Sequence, residues 1–170
     1  MILNGKKVFI MSGPSASGKS TYIRNNMAEG CVWVSRDKIR FSMLEPGEDY
    51  FAHEDDVFDT FINTINQVLE DPNVHTIYID ATHLNKPSRY KTISRLNRQL
   101  IEELNCICLI TSFETCKKRN ANREGREKVP EDALERMYFS FNYPKKNEPF
   151  NHVYCVYENG KKEEVKYKDE

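Results

Sequence analysis

The sequence predicts an α/β fold, a central and mostly parallel five-stranded sheet flanked by helices, carried by residues 1–170 as one domain. Three observations predict it. Short apolar runs alternate with segments of helical periodicity from one end to the other. The runs are bounded by glycine or polar turn signals. The chain is 39% hydrophobic and 30% charged, an ordinary globular balance without repeats, linkers or low-complexity stretches. A chain of 170 residues buries a core without disulfides or a structural metal.

The elements follow in order. Val8–Ser12 is a buried strand ending at Gly13, and Lys19–Ala28 suits a helix. Cys31–Ser35 is a second strand closed by Arg36-Asp37, and Lys38–Leu44 reads as a short helix. Glu54–Glu70 is helical, because Phe58, Phe61, Ile62, Ile65, Val68 and Leu69 fall on one face. Asp71-Pro72-Asn73 stops it. Val74–Ile79 is a third strand, followed by the polar turn Asp80–Asn85. Pro87 opens a helix expected to run to Leu104, with Tyr90, Ile93, Leu96, Leu100, Ile101 and Leu104 inward.

Cys106–Ile110 is a fourth strand, and Thr111 and Glu114 have capping-box spacing for the next helix. Arg119–Val129 is polar, carries Gly125 and reads as a mobile loop or lid. Pro130 starts a helix through Phe141. His152–Tyr157 is a fifth strand, Glu158-Asn159-Gly160 a tight turn, and Glu163–Tyr167 a candidate edge strand completing a C-terminal hairpin.

Composition excludes several classes. The net charge of −1 leaves no broad basic footprint for coating nucleic acid. The five cysteines form no C-x-x-C pair and read as free thiols of a reducing compartment. The four histidines have no metal-ligand spacing. No targeting segment and no apolar run of spanning length is present, so the expected location is the cytoplasm and no membrane partner is expected.

The strongest chemical signal is Gly13-Pro14-Ser15-Ala16-Ser17-Gly18-Lys19-Ser20, a complete G-x-x-x-x-G-K-[ST] between a strand and a helix. Gly13 and Gly18 let the backbone curl with its N–H groups inward. Those donors and the positive end of the following helix hold phosphates. Lys19 reaches the outer phosphates as a point charge, and the Ser20 hydroxyl suits Mg²⁺. The implied ligands are ATP and Mg²⁺. Thr21 continues the loop into the helix.

A phosphoryl acceptor needs its hydroxyl oriented and its proton accepted. Asp37 follows the second strand, where ligands of open α/β sheets gather. Arg40 lies one helical turn on and suits an anionic part of the acceptor. The local sequence equally allows Asp37 as a helix cap and Arg40 as a surface charge. Asp80, ending the third strand, is a candidate Mg²⁺ acid acting through water; Thr82 and Asn85 either bind substrate or shape the turn. From the lid, Arg123 is the candidate for neutralising charge in the transition state, and Arg119 for touching the nucleotide.

Charge is segregated. Residues 45–59 hold seven acids and no Lys or Arg, whereas residues 86–98 hold five bases and no acid. Solvated helix faces explain this, or the bases track a phosphate backbone, which the acidic stretch would repel.

Five segments together resemble the 5′-hydroxyl polynucleotide kinases, especially the kinase domain of phage end-healing enzymes. They are Gly13–Thr21, Ser35–Arg40, Ile79–Asn85, Lys118-Arg119-Asn120 with Arg123, and Val129–Leu134 followed by Met137-Tyr138. They span about residues 8–140. The resemblance implies a P-loop kinase fold and transfer of the γ-phosphate of ATP to a 5′-hydroxyl end of DNA or RNA. It makes Asp37 the general base, and Arg40 the holder of the adjacent phosphate. Lys19 and Arg123 stabilise the transferring group, and Ser20 helps hold Mg²⁺.

Three features depart from the family pattern. His83 stands where an asparagine is common, Ala81 where an acid is common, and the lid is about a residue longer between Arg123 and Val129. No D-x-D-x-[TV] phosphatase motif is present, so no phosphatase activity is expected. Other acceptors of the same fold remain open: a hydroxymethylated base within DNA, a nucleoside or a small alcohol. So does a nucleotide-dependent switch or toxin-like regulator.

Overall fold

The structure is a computed structural model, and it describes residues 5–168. Its sheet has six strands: β1 (Lys6–Ser12), β2 (Cys31–Ser35), β3 (Thr76–Asp80), β4 (Ile101–Ile110), β5 (His152–Tyr157) and β6 (Lys162–Glu164). Six helices connect them: α1 (Lys19–Asn26), α2 (Arg36–Met43), α3 (Glu54–Leu69), α4 (Lys86–Ile93), α5 (Phe113–Ala121) and α6 (Glu131–Phe139). The strand order is β2-β3-β1-β4-β5-β6. All pairings are parallel except the closing hairpin of β5 with β6.

The expected five-stranded parallel sheet is present. The candidate edge strand does join it as β6, at Lys162–Glu164 rather than Glu163–Tyr167. Among the described residues, no helix is long and apolar enough to cross a membrane.

Two apolar layers sandwich the sheet, as expected where both faces are covered. On one face Val8, Ile10, Ile77 and Ile79 meet Phe58, Phe61, Ile62 and Ile65 of α3 and Ile93 of α4. On the other, Met11, Tyr78, Ile107 and Leu109 meet Ile23 of α1. The five cysteines are free, and Cys106 and Cys108 share one buried patch with Cys155.

The expected helix from Pro87 to Leu104 is not formed. α4 stops at Ile93, a short 3₁₀ turn covers Arg98–Leu100, and β4 begins at Ile101. Asn66 on α3 decides this. Its amide donates to Arg95 O at 3.1 Å, and its side-chain oxygen accepts from Asn97 N at 2.9 Å. A side chain 29 and 31 positions away thus satisfies the freed backbone groups, which otherwise favour continuing the helix. Leu96, Ile101 and Leu104 are buried as expected, in a turn and a strand rather than on a helix. Tyr90, read as inward, is exposed.

The helix after β4 is capped by Ser112, whose Oγ accepts from Thr115 N, one residue later than the expected Thr111. Thr111 instead donates to Ser17 O at 2.7 Å and braces the loop after β1.

The charge segregation has a packing origin. Arg95 pairs with Asp59 at 2.9 Å, and Lys91 and Arg95 lie over the Phe58 ring. Arg89 is 1% exposed and makes a bidentate pair with Glu148. Three of the five bases are therefore committed within the fold.

Candidate functional site

The strand order places the carboxyl ends of β2, β3 and β1 side by side, the crevice where open α/β sheets bind ligands. Ser35 and Asp80 are register partners at that edge. A cleft of about 910 Å³ opens there. It is lined by residues 15–22 of the phosphate loop and α1, by Asp37, Arg40, Asp80 and Thr82, and by Arg119 and Arg123. Elements far apart in sequence thus converge on one cavity.

The loop after β1 is held from behind. Gly13 N donates to Thr82 O at 2.8 Å, and Ser12 Oγ donates to His83 O at 2.7 Å. Gly18 adopts φ +106° as the N-cap of α1, a conformation that glycine supplies without a steric cost. A Cβ there would also touch Arg119 Nη1 at 3.4 Å. Ala16, at φ +64°, carries the strain that such loops store. Lys19 Nζ donates to Gly13 O and Pro14 O, both at 2.8 Å, across the mouth of the curl. Burial pulls its ammonium below the ordinary lysine value, while Asp80 and then Asp37 oppose that shift. Both carboxylates line the same cleft as Lys19.

Asp80 is 8% exposed, and Trp33 Nε1 donates to its Oδ2 at 3.0 Å. Burial raises its pKa, and the Lys19 charge works against the rise. Mg²⁺ takes few protein ligands and keeps waters and phosphate oxygens. One buried carboxylate and the exposed Ser20 hydroxyl, lining the same cleft, fit that demand. No larger cluster of metal-ligating side chains occurs among the described residues.

Across the cleft, Ser35 caps α2 through Lys38 N, which leaves the Asp37 carboxylate free of capping duty. Its side chain is 57% exposed, and Oδ1 accepts from Tyr50 Oη at 2.6 Å and Arg40 Nη1 at 2.5 Å. Arg40 is no surface charge. Its side chain is 6% exposed and forks onto Glu54 at 2.9 and 2.8 Å. Burial opposes that charge, but the Glu54 hydrogen bond and the neighbouring acids hold the guanidinium above its ordinary value. Glu54 also receives Arg36, and Tyr50 stacks under Arg40 at 4.2 Å.

No motif or spacing in the sequence marks Tyr50, Phe51, Glu54 or Trp33 as site residues. Glu54 reads there as one acid among seven, and only the fold of the 44–53 loop brings it to Arg40.

The candidate lid leaves α5 at Ala121. Asn120 pinches its base, donating to Val129 O at 2.6 Å and accepting from Val129 N at 3.0 Å. Arg119 Nη1 donates to Ala16 O at 3.3 Å, and Arg123 lines the cleft and reaches Glu127 O at 3.4 Å. Arg126 crosses to the acceptor side and donates to Glu45 O at 2.8 Å. Asn85 accepts from Ser88 N in a capping box, so it shapes the start of α4.

His83 does not line the cleft. It sits at φ +41°, a left-handed conformation in which both Asn and His are enriched. Its Nδ1 donates to Met11 O at 2.8 Å, and Nε2 accepts from Thr92 Oγ1 at 2.9 Å. With Nδ1 donating to a carbonyl, the neutral ring leaves Nε2 as the acceptor for the Thr92 hydroxyl. Burial pushes the pKa down to about 4, and the nearby Arg36, Arg89 and Lys19 charges add to the shift. Between about pH 4 and the unfolded value near 6.5 the unfolded chain binds more protons, so stability there rises with pH.

The contribution is complete above that window and lost as pH falls through it. It amounts to about 3 kcal/mol. Urea unfolding at pH 7 and pH 4.5 measures the slope, and His83→Asn flattens it even where its absolute stability is lower. An unchanged slope would show that His83 is not the titrating group.

Comparison with known proteins places this geometry. No curated protein matches the sequence. A chain of the Pnkp1/Rnl/Hen1 RNA repair complex superposes with a TM-score of 0.70 at 20% identity, covering 87% of this chain and 48% of that one. This chain thus spans about half of that relative. A fungal RNA kinase matches with a TM-score of 0.61 at 12% identity, covering 91% and 75%. A sugar kinase from Janibacter sp. HTCC2649 matches with a TM-score of 0.62 at 15% identity, covering 89% and 85%. The shared feature is the α/β fold of P-loop kinases. The AAA domain family model matches residues 8–144, most of the sequence, and the chain belongs to that family.

Proposed function

We propose that this chain transfers the γ-phosphate of ATP to the 5′-hydroxyl of DNA or RNA. One observation carries the reading. A solvent-accessible carboxylate, Asp37, is held in a fixed orientation by Tyr50 and Arg40, in the same cleft as the phosphate loop. A nucleotide switch has no use for a carboxylate aimed this way. A chain of an RNA repair complex and a fungal RNA kinase, among the structures of similar fold, support a nucleic-acid acceptor.

In the proposed reaction, Asp37 accepts the proton of the acceptor hydroxyl as that oxygen bonds to the γ-phosphorus. The bond to the bridging oxygen breaks, and ADP leaves with the electron pair. Lys19 and the loop N–H groups hold the phosphates, and Arg123 neutralises charge on the transferring group. Arg119 holds the nucleotide over the loop. Ser20 and Asp80 would hold Mg²⁺, which neutralises charge between the phosphates when bound. Arg40 serves the acceptor side by fixing Asp37, and Thr82 lines the wall beside it.

A second reading is a neutral small alcohol as acceptor. One observation favours it: the Arg40 charge is already matched by Glu54 and Asp37. The test is transfer of labelled γ-phosphate, with Mg²⁺, to a short 5′-hydroxyl oligonucleotide, with a nucleoside and a sugar in parallel. Label on the oligonucleotide end supports the proposal. Label only on the small alcohols overturns it.

A further inference from the structure

Six large apolar side chains stand exposed among the described residues: Met27, Phe51, Tyr90, Phe139, Tyr143 and Tyr167. Phe51 is the one that lines the cleft. It is 60% exposed, an unusual position for a phenylalanine unless something covers it. Its backbone is anchored: Phe51 N donates to Asp49 Oδ2 at 3.3 Å, and Ala52 N to Asp49 O at 3.0 Å. Tyr50 abuts the ring edge-on, with centroids 4.8 Å apart and planes at 84°. The ring is therefore braced before any acceptor arrives, which lowers the ordering cost of binding.

Its place relative to Asp37 matters more. Tyr50 Oη contacts Asp37, and the Tyr50 ring contacts Phe51. Phe51 is thus one ring removed from the carboxylate. In a 5′-terminal nucleoside the base is one sugar removed from the 5′-hydroxyl. A hydroxyl at Asp37 would therefore set its own base on the wall of the cleft that Phe51 lines.

Charge points the same way. Residues 45–59, the stretch that carries this ring, hold seven acids and no Lys or Arg. Arg36 and Arg126 reach the stretch but are bonded to Glu54 and to the Glu45 carbonyl, so attraction of a phosphate backbone is weak here. Arg40, the cation beside it, is shared between Glu54 and Asp37. Acceptor affinity must come from elsewhere, and base–aromatic stacking supplies it without regard to sequence.

Resting on the function proposed above, we infer that Phe51 is the stacking platform for the 5′-terminal nucleobase of a single-stranded acceptor. The site selects nucleic-acid ends by the π-face of one base rather than by their backbone charge. Phe51 binds and does not take part in the proton transfer.

The experiment is steady-state transfer to two short single-stranded acceptors, one with a normal 5′-terminal nucleoside and one abasic at that position, both bearing the 5′-hydroxyl. The wild-type chain is compared with Phe51→Ala and Phe51→Trp. The expected result is a KM for the normal acceptor about 5- to 100-fold higher in Phe51→Ala, with kcat and the KM for ATP unchanged. The wild type shows the same rise on the abasic acceptor, Phe51→Ala adds nothing further there, and Phe51→Trp restores the normal value. The KM also rises with salt only as steeply as about one phosphate contact requires.

An unchanged KM in Phe51→Ala, or an equal rise on the abasic acceptor, overturns the stacking role while leaving the kinase reading intact. A salt slope of several phosphates also overturns it. Label on neither oligonucleotide from wild-type protein overturns the kinase reading, and this inference with it.

Discussion

Asp37→Ala lowers kcat for transfer to a 5′-hydroxyl oligonucleotide by about a hundred- to ten-thousand-fold, the range that a positioned general base contributes. ATP affinity stays near the wild-type value, because the groups proposed to hold the nucleotide, the phosphate loop and Lys19, line the cleft apart from Asp37. The fold survives the change. The Asp37 side chain is more than half exposed, and the Arg40 guanidinium it leaves behind keeps its bidentate Glu54 partner. Asp37→Asn keeps the size and loses the proton acceptor, so it shows the same loss. Labelled transfer together with equilibrium ATP binding separates the two effects. Near-normal transfer by either variant would remove Asp37 from the chemistry.

Glu148→Ala destabilises the chain by about 3–5 kcal/mol, because it strands a fully buried guanidinium without its counter-charge. That is a large fraction of the roughly 5–15 kcal/mol that holds a domain folded. Arg89 also donates from Nη1 to His83 O at 3.1 Å and to Asn142 O at 3.0 Å. It therefore ties the segment after α6 to the turn after β3, and through Thr82 to the phosphate loop. Urea unfolding near pH 7 reads the loss.

The double variant Arg89→Met with Glu148→Leu recovers only part of it. Removing both charges ends the electrostatic penalty, but the carbonyls of His83 and Asn142 then lose a donor. Full recovery would show that those two contacts contribute nothing.

Much of the site is legible in the linear sequence because its chemistry is local. The phosphate loop is eight consecutive residues whose types follow from the need to curl a backbone around phosphates. Asp37, Asp80 and Arg123 are legible because each lies at the end of, or within two residues after, a strand or a strand–helix unit of predictable period. Arg40 is legible as a position and not as an environment. Its burial depends on Glu54 and Tyr50, which a loop of no regular period brings back across α2. The broken helix at Ser94–Leu100 fails for the same reason. Its apolar spacing suits a helix, and the side chain of Asn66 on α3 provides the stop.

The sequence alone determined the alternation of strand and helix, the phosphate loop and the polar residues at the strand ends. Short-range periodicity and contiguous chemistry carry that information. Only the tertiary structure decided that the bases after β3 pair with α3 and Glu148, and that His83 faces the core. It also decided that an exposed aromatic ring lines the cleft one ring away from the candidate base. Each of these depends on side chains many residues apart meeting across packed layers, and no local pattern encodes such meetings.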